Sequence, residues 1–136
     1  MRLASRLLLA GAGIAGLALV IAARGLDPDP RGYGTHEQLG LAPCIFQQWT
    51  GRICPACGTT TAWAHVLRGD IRQAAAANLG GALLCGAVLI GAPWLLSSAI
   101  AGRWLGIRPT LPLLLTAATA WLAVALLDWL RRWYFG

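Results

Sequence analysis

Three long apolar segments constrain the fold of this chain more than any other feature. They cover residues 7–23, 79–100 and 111–130. Each is close to the roughly 17 to 25 residues that a helix needs to cross the hydrocarbon core of a bilayer. Backbone polar groups inside a bilayer must be paired within the segment, which favours helices. We therefore predict an all-α, integral membrane protein with about three transmembrane helices in a single domain.

The charged residues agree with a membrane location. Only 12% of the 136 residues are charged, against roughly 25% in soluble domains. The net charge of +6 comes from arginines alone, and these are scattered along the chain. Nucleic-acid-binding proteins gather their basic residues into a stripe or patch. We therefore predict the lipid bilayer as a partner, and no nucleic acid.

The first two apolar segments are rich in small residues. Arg2 and Arg6 precede the first segment, which also fits a cleaved signal peptide, but a small-residue cleavage site is poorly formed. Glycines such as Gly86 and Gly91 in the second segment predict a close packing face. That face would serve contacts within the chain, self-association or a membrane-protein partner. Pro93 predicts a kink in the second segment.

The third apolar segment ends in aromatic and basic residues, which is typical of a helix that leaves a bilayer. Asp128 lies at helical spacing from Arg131 and Arg132, so we predict ion pairs between them. The alternative, an acid in a proton path, is less favoured because Asp128 lies near the end of the segment.

The connection over residues 25–73 is predicted to hold short interfacial or re-entrant helices. Thr35 with Gln38 forms a minimal capping box,. Apolar residues recur at helical spacing in residues 45–49, before a stop at Gly51,. Threonines 59–61 offer N-caps for the next helix, and Asp70 offers one for the helix after it.

Three of the four cysteines lie in this connection, at Cys44, Cys54 and Cys57. We expect these three to cluster in space. Cys54 and Cys57 belong to a Cys-Pro-Ala-Cys-Gly turn that precedes a predicted helix. A helix N-terminus stabilises a thiolate, which predicts a lowered pKa for Cys57. The same turn has the shape of a metal-binding knuckle.

Three interpretations of the cysteines remain open. The first is a metal site, such as zinc, in which His65 or another group completes the three cysteines. The second is thiol–disulfide chemistry at Cys54 and Cys57, with Cys44 as a third thiol. The third is a structural disulfide, or free thiols that fix the turn. His65 and His36 are the weaker candidates for this site. His65 is about two helical turns from Cys57, which favours a packed role for it, and His36, beside Glu37, is more often an exposed polar residue than a metal or proton-transfer residue.

The sequence offers no recognisable catalytic set. It lacks a nucleotide-binding glycine loop, a Ser/His/Asp set and paired carboxylates at a spacing that suits acid–base catalysis,. We therefore assign no catalytic residue and favour a non-enzymatic role: a small membrane protein that binds a metal and serves a partner. A membrane thiol oxidoreductase and a structural subunit of a larger complex are the alternatives.

Residues 44–70 also carry a signature of fixed spacing. It comprises Cys44, Thr50-Gly51, the run 54–62 and Gly69-Asp70. With it, residues from about 43 to 78 resemble bacterial membrane proteins of domain-of-unknown-function family 2752. Two positions differ from the family pattern. Thr61 stands where the family usually has arginine, and Leu79 follows Asn78 where the family often has proline. The resemblance implies a bacterial inner-membrane location, no established activity, and a supporting role for seven residues: Thr50, Gly51, Pro55, Gly58, Thr60, Gly69 and Asp70.

The arginines also bear on the orientation in the membrane. If three helices span the bilayer, one side carries Arg2, Arg6, Arg103 and Arg108, and the other carries the remaining seven arginines. Short cytoplasmic loops are rich in basic residues. The count therefore favours a cytoplasmic location for the cysteine-bearing connection and the C-terminus.

Overall fold

The computed structural model describes residues 1–135 and confirms the all-helical fold, with no strand among those residues. Within this range, five α-helices and one short 3-10 helix follow each other. They are α1 (Leu3–Arg24), the 3-10 helix (Thr35–Leu39), α2 (Ile45–Thr50), α3 (Thr59–Val66), α4 (Ile71–Ala101) and α5 (Leu111–Phe135).

Three of these helices, α1, α4 and α5, are long and apolar enough to cross a membrane. Their most apolar windows have mean hydropathies of 2.1, 2.0 and 1.8. Most of their apolar side chains are exposed rather than buried inside the chain. Such a surface is stable against lipid and costly in water. The chain is therefore a multi-pass membrane protein, as predicted.

Helix α4 is the common partner of the other long helices. It packs against α1, α3 and α5, whereas α1 and α5 make no close contact within residues 1–135. Arg6 of α1 donates from Nε to the carbonyl oxygen of Ala99 at 2.8 Å and from Nη2 to that of Ile100 at 3.2 Å. The start of α1 and the end of α4 therefore lie at one end of the bundle, and the connection lies at the other.

Small residues allow α1 to approach α4 closely. A Cβ added at Gly13 would lie 2.6 Å from Leu96 Cγ and 2.9 Å from the carbonyl oxygen of Ala92. Gly13 therefore serves a contact within the chain. By contrast, a Cβ at Gly86 or Gly91 would meet nothing within 4 Å. The predicted packing face at those two glycines stays a prediction for a partner or a second copy.

Helix α4 is interrupted at Asn78, where φ is −166° and ψ is 105°. This break was not predicted, and the kink expected at Pro93 stays a prediction. The side chain of Asn78 stabilises the break, because its Oδ1 accepts a hydrogen bond from the N–H of Gly81 at 2.8 Å. It thus caps the second part of α4. That part begins where the predicted apolar segment 79–100 begins.

Of the predicted helix N-caps, one is confirmed and the others are wrong. Asp70 caps α4 as predicted, because its side chain accepts a hydrogen bond from the N–H of Gln73 at 3.3 Å. The threonine caps are wrong: the positions before the 3-10 helix and α3 are Gly34 and Gly58, neither with a side-chain cap. The threonine hydroxyls bind elsewhere, as in the buried 2.8 Å contact between Thr35 and Thr61.

The contact between α1 and α4 predicts opposite effects for two glycine substitutions in α1. Gly13→Ala should lower the free energy of unfolding by about 1–3 kcal/mol, because its new methyl group overpacks the contact. Gly11→Ala is the matched control, since a Cβ there meets nothing within 4 Å and alanine favours the helix. Thermal unfolding in detergent micelles measures both. Equal melting temperatures for the two variants would contradict this packing.

Candidate metal centre

Three cysteines from two separate segments come together beside α4. Cys44 directly precedes α2, and Cys54 and Cys57 lie in the turn before α3. Their sulfur atoms all lie within 4.8 Å of one another, and Cys54 Sγ is 2.9 Å from Cys57 Sγ. Cys44 and Cys54 are half-buried and Cys57 is buried. The expected cluster is thus present, with the fourth cysteine, Cys85, buried elsewhere in α4.

The Thr50-Gly51 pair turns the chain from α2 towards the second cysteine segment. Gly51 adopts a φ of 69° at the end of α2, a conformation that glycine adopts without steric cost. The hydroxyl of Thr50 donates to the carbonyl oxygen of Phe46 at 2.7 Å and accepts from the N–H of Arg52 at 3.2 Å. Local hydrogen bonds therefore shape the turn between Cys44 and Cys54.

Gly58 allows the cysteine turn to lie tightly between two other segments. Its φ is 86°, and an added Cβ would lie 2.6 Å from the carbonyl oxygen of Ala77 and 2.7 Å from that of Gly32. Both neighbours are backbone atoms, which cannot move aside as a flexible side chain would. Glycine is therefore required here for both its conformation and its size.

The carbonyl groups of the cysteine turn are bound by side chains from α4 and α5. Asn78 Nδ2 donates to the carbonyl oxygens of Pro55 at 3.1 Å and Cys57 at 3.0 Å. Arg132 donates to the same two oxygens, at 3.3 Å and 3.0 Å. The indole N–H of Trp129 donates to the carbonyl oxygen of Ile53 at 3.0 Å. These bonds attach the turn to the ends of two membrane helices.

Asp128 joins these side chains into one network. Its Oδ2 accepts from Arg132 Nε at 2.9 Å and from the N–H of Leu79 at 3.1 Å. Its Oδ1 accepts from Arg131 Nη2 at 2.8 Å. The predicted ion pairs are therefore present. The pair of Asp128 with Arg132 is buried inside the protein rather than exposed at the end of the helix, since the two residues are only 4% and 9% exposed.

The electrostatics of the thiols differ from the prediction. Burial, followed by the hydrogen bond with Cys54, raises the pKa of Cys57 to about 12, so the predicted lowering is wrong. Desolvation disfavours the charged thiolate more than the nearby helix N-terminus favours it. The lowered pKa belongs to Cys44, whose sulfur is bound chiefly by the N–H of Gln47 in the first turn of α2.

The two histidines lie outside the cysteine cluster. His65 Nδ1 is 3.5 Å from Asp70 Oδ2, and His36 Nε2 is 3.3 Å from the carbonyl oxygen of Ala42. Gly69, with a φ of 83°, allows the turn that places Asp70 near His65. No histidine, aspartate or glutamate within residues 1–135 joins the three sulfurs.

Sequence reasoning missed the roles of Asn78, Trp129 and Arg132 at this site. The signal for Arg132 was its helical spacing from Asp128, which gave the ion pair but not its burial against the cysteine turn. No local pattern links these positions to residues 53–57, because the contacts span up to 77 residues of sequence.

The network predicts a large effect for Asp128→Ala. Removing this carboxylate leaves the buried guanidinium of Arg132 unpaired, which typically costs about 3–5 kcal/mol. Asp27→Ala is the matched control: it also removes a carboxylate paired with arginine, but the Asp27 side chain is 92% exposed and such pairs contribute little. Melting temperatures in detergent report the difference. A similar, small loss in both variants would argue against the network.

The comparisons with known proteins agree with the resemblance of the cysteine segment. No curated protein and no solved structure matches the chain. Residues 44–92 match a family model. The matched segment includes the three clustered cysteines, Gly58 and Asn78. The resemblance is therefore confirmed: this segment matches the family described as Protein of unknown function (DUF2752).

Proposed function

We propose that Cys44, Cys54 and Cys57 bind one metal ion, zinc, and that the protein is a small accessory membrane protein rather than an enzyme. The observation that carries this proposal is the convergence of three sulfur atoms within 4.8 Å of one another. Thiolates are soft ligands, which favours zinc over harder cations such as magnesium or calcium.

The spacing of the sulfurs supports a single ion. Zinc–sulfur bonds of about 2.3 Å in a tetrahedral site place the sulfurs roughly 3.8 Å apart. The pair Cys54 and Cys57 is closer than that, at 2.9 Å, and no pair exceeds 4.8 Å. This separation and this limit lie on both sides of the spacing expected for sulfurs that share one ion, which supports a single common centre.

A metal site also requires ligands that are held in place, and residues around the cysteine turn hold it. Two carbonyls of the turn are held by Asn78 and Arg132. The guanidinium of Arg132 also adds positive charge near a centre that three thiolates make negative. Such outer contacts orient ligands and tune metal affinity.

Three ligands from this chain leave a fourth position at a tetrahedral ion. Among residues 1–135 no histidine or carboxylate joins the cluster, and closed structural zinc sites have four protein ligands. We propose that water or a side chain of a partner protein fills this position. A partner ligand fits the accessory role directly.

We also propose that the protein lies in a bacterial inner membrane, with the cysteines and the C-terminus on the cytoplasmic side. Seven of the eleven arginines lie at that end, and cytoplasmic segments of membrane proteins carry an excess of arginine and lysine. The cytosol keeps thiols reduced. Reduced thiols are the form that binds metal, so the proposed side and the proposed ligand support each other.

The proposal predicts a metal-to-protein ratio near one in protein purified under reducing conditions, measured by inductively coupled plasma mass spectrometry. Cys54→Ala and Cys57→Ala should each remove most of the metal, because two thiolates hold zinc far less tightly than three. Cys85→Ala is the matched control and should keep the ratio, since Cys85 lies outside the cluster. Wild-type protein without metal, or equal loss in the control, would refute the proposal.

Thiol–disulfide exchange is the second candidate function, and the 2.9 Å separation of Cys54 Sγ and Cys57 Sγ favours it. In this reaction the two thiols lose two protons and two electrons and form one disulfide. The bond of a partner disulfide breaks, and that partner takes up the electrons and protons as two thiols.

Maleimide labelling followed by mass spectrometry separates the two candidates. If the cysteines bind metal, their labelling should be slow until a chelator is added, and fast afterwards. If they exchange disulfides, a disulfide reagent should remove two labelling sites, a thiol reductant should restore them, and Cys54→Ala should abolish the change. Fast labelling without chelator, together with that reversible loss, would replace the metal proposal with the redox one.

A further inference from the structure

A cavity of about 530 Å³ opens beside the cysteine turn, within the range of about 300–1,000 Å³ that is usual for small-ligand sites. Its wall includes the guanidinium-bearing residues Arg31, Arg52 and Arg132, together with Trp133 and Cys57. No aspartate or glutamate among residues 1–135 lines it. We propose that this cavity binds a phosphate group, carried by an anionic lipid headgroup or free in solution.

Arg52 is the residue on which this proposal depends most. Within the described part of the chain, no carboxylate forms an ion pair with it and its guanidinium makes no hydrogen bond. The guanidinium carbon instead lies 4.7 Å from the centroid of the Trp133 ring. Stacking uses the face of the guanidinium and leaves the N–H groups at its edge available. Those groups match two oxygens of a phosphate.

The other two arginines are held in place by protein groups. Arg132 is fixed by Asp128 and by carbonyls of the cysteine turn. Arg31 is paired with Asp29 at 2.7 Å and with Glu37 at 3.3 Å. A guanidinium has five N–H donors, so both keep unused donors. Because Arg31 and Arg132 are offset by these carboxylates, the positive charge that attracts an anion is that of Arg52, and the other two guanidiniums contribute N–H donors.

The cavity also lies beside the end of α5, where the helix is expected to reach the lipid headgroups. Trp133 belongs to the aromatic and basic end of α5, the pattern of a helix that reaches the membrane surface. The neighbouring helix α2 exposes apolar side chains, with Trp49 86% and Ile45 62% exposed. A lipid that places its acyl chains along such a surface could place its phosphate in the cavity. Such binding requires no metal at the cysteines.

The test is a thermal-shift titration of the full chain, delipidated in a neutral detergent. The probes are dioctanoyl-phosphatidylglycerol, inorganic phosphate and dioctanoylglycerol, which lacks phosphate. We expect a phosphate-bearing probe to raise the melting temperature and dioctanoylglycerol to leave it unchanged. A response to phosphatidylglycerol alone identifies a lipid headgroup site, and a response to inorganic phosphate as well shows that the phosphate group suffices.

Two arginine substitutions locate the site. Arg52→Gln should weaken binding of the active probe on the order of tenfold, because a charge-assisted pair of hydrogen bonds is lost. Arg108→Gln is the matched control, since Arg108 lies in the loop between α4 and α5 at the opposite end and should bind as wild type. The proposal is overturned if neither phosphate probe shifts the melting temperature, if dioctanoylglycerol acts equally, or if both variants lose binding equally.

Discussion

The hydrogen bonding of the cysteine turn is the constraint on which the site depends. A turn leaves carbonyl groups that no helix or sheet pairs, and buried carbonyls without partners are costly. Here the ends of two membrane helices supply the partners. The carbonyls belong to Ile53, Pro55 and Cys57, and the donors are Asn78, Trp129 and Arg132. The membrane helices thus fix the backbone that presents two of the three thiols.

The break in α4 serves this arrangement twice. Because the helix loses its regular geometry at Asn78, the amide nitrogen of that side chain donates to the cysteine turn, while its amide oxygen caps the second part of α4. The same break leaves the N–H of Leu79 without a helical partner, and Asp128 accepts it. One local irregularity therefore couples the start of the α4 span to the end of α5, and both to the proposed metal site.

The features that the sequence predicts correctly are local or compositional. The three apolar segments set the spans, and the spacing of Cys54 and Cys57 sets a shared turn. The features that the sequence missed or predicted wrongly depend on distant packing. The break lies at Asn78 because its amide finds partners some 20 residues away, and the pKa of Cys57 is raised because other segments bury its sulfur. Neither contact leaves a periodic pattern in the chain.

The central claim is that Cys44, Cys54 and Cys57 share one metal ion, and the coordination shell of that ion tests it most directly. Extended X-ray absorption fine structure at the zinc edge of the purified, reduced protein measures this shell. The account predicts three sulfur neighbours at about 2.3 Å and one lighter atom, nitrogen or oxygen. A shell of nitrogen and oxygen alone, or one with two sulfurs or fewer, would contradict it.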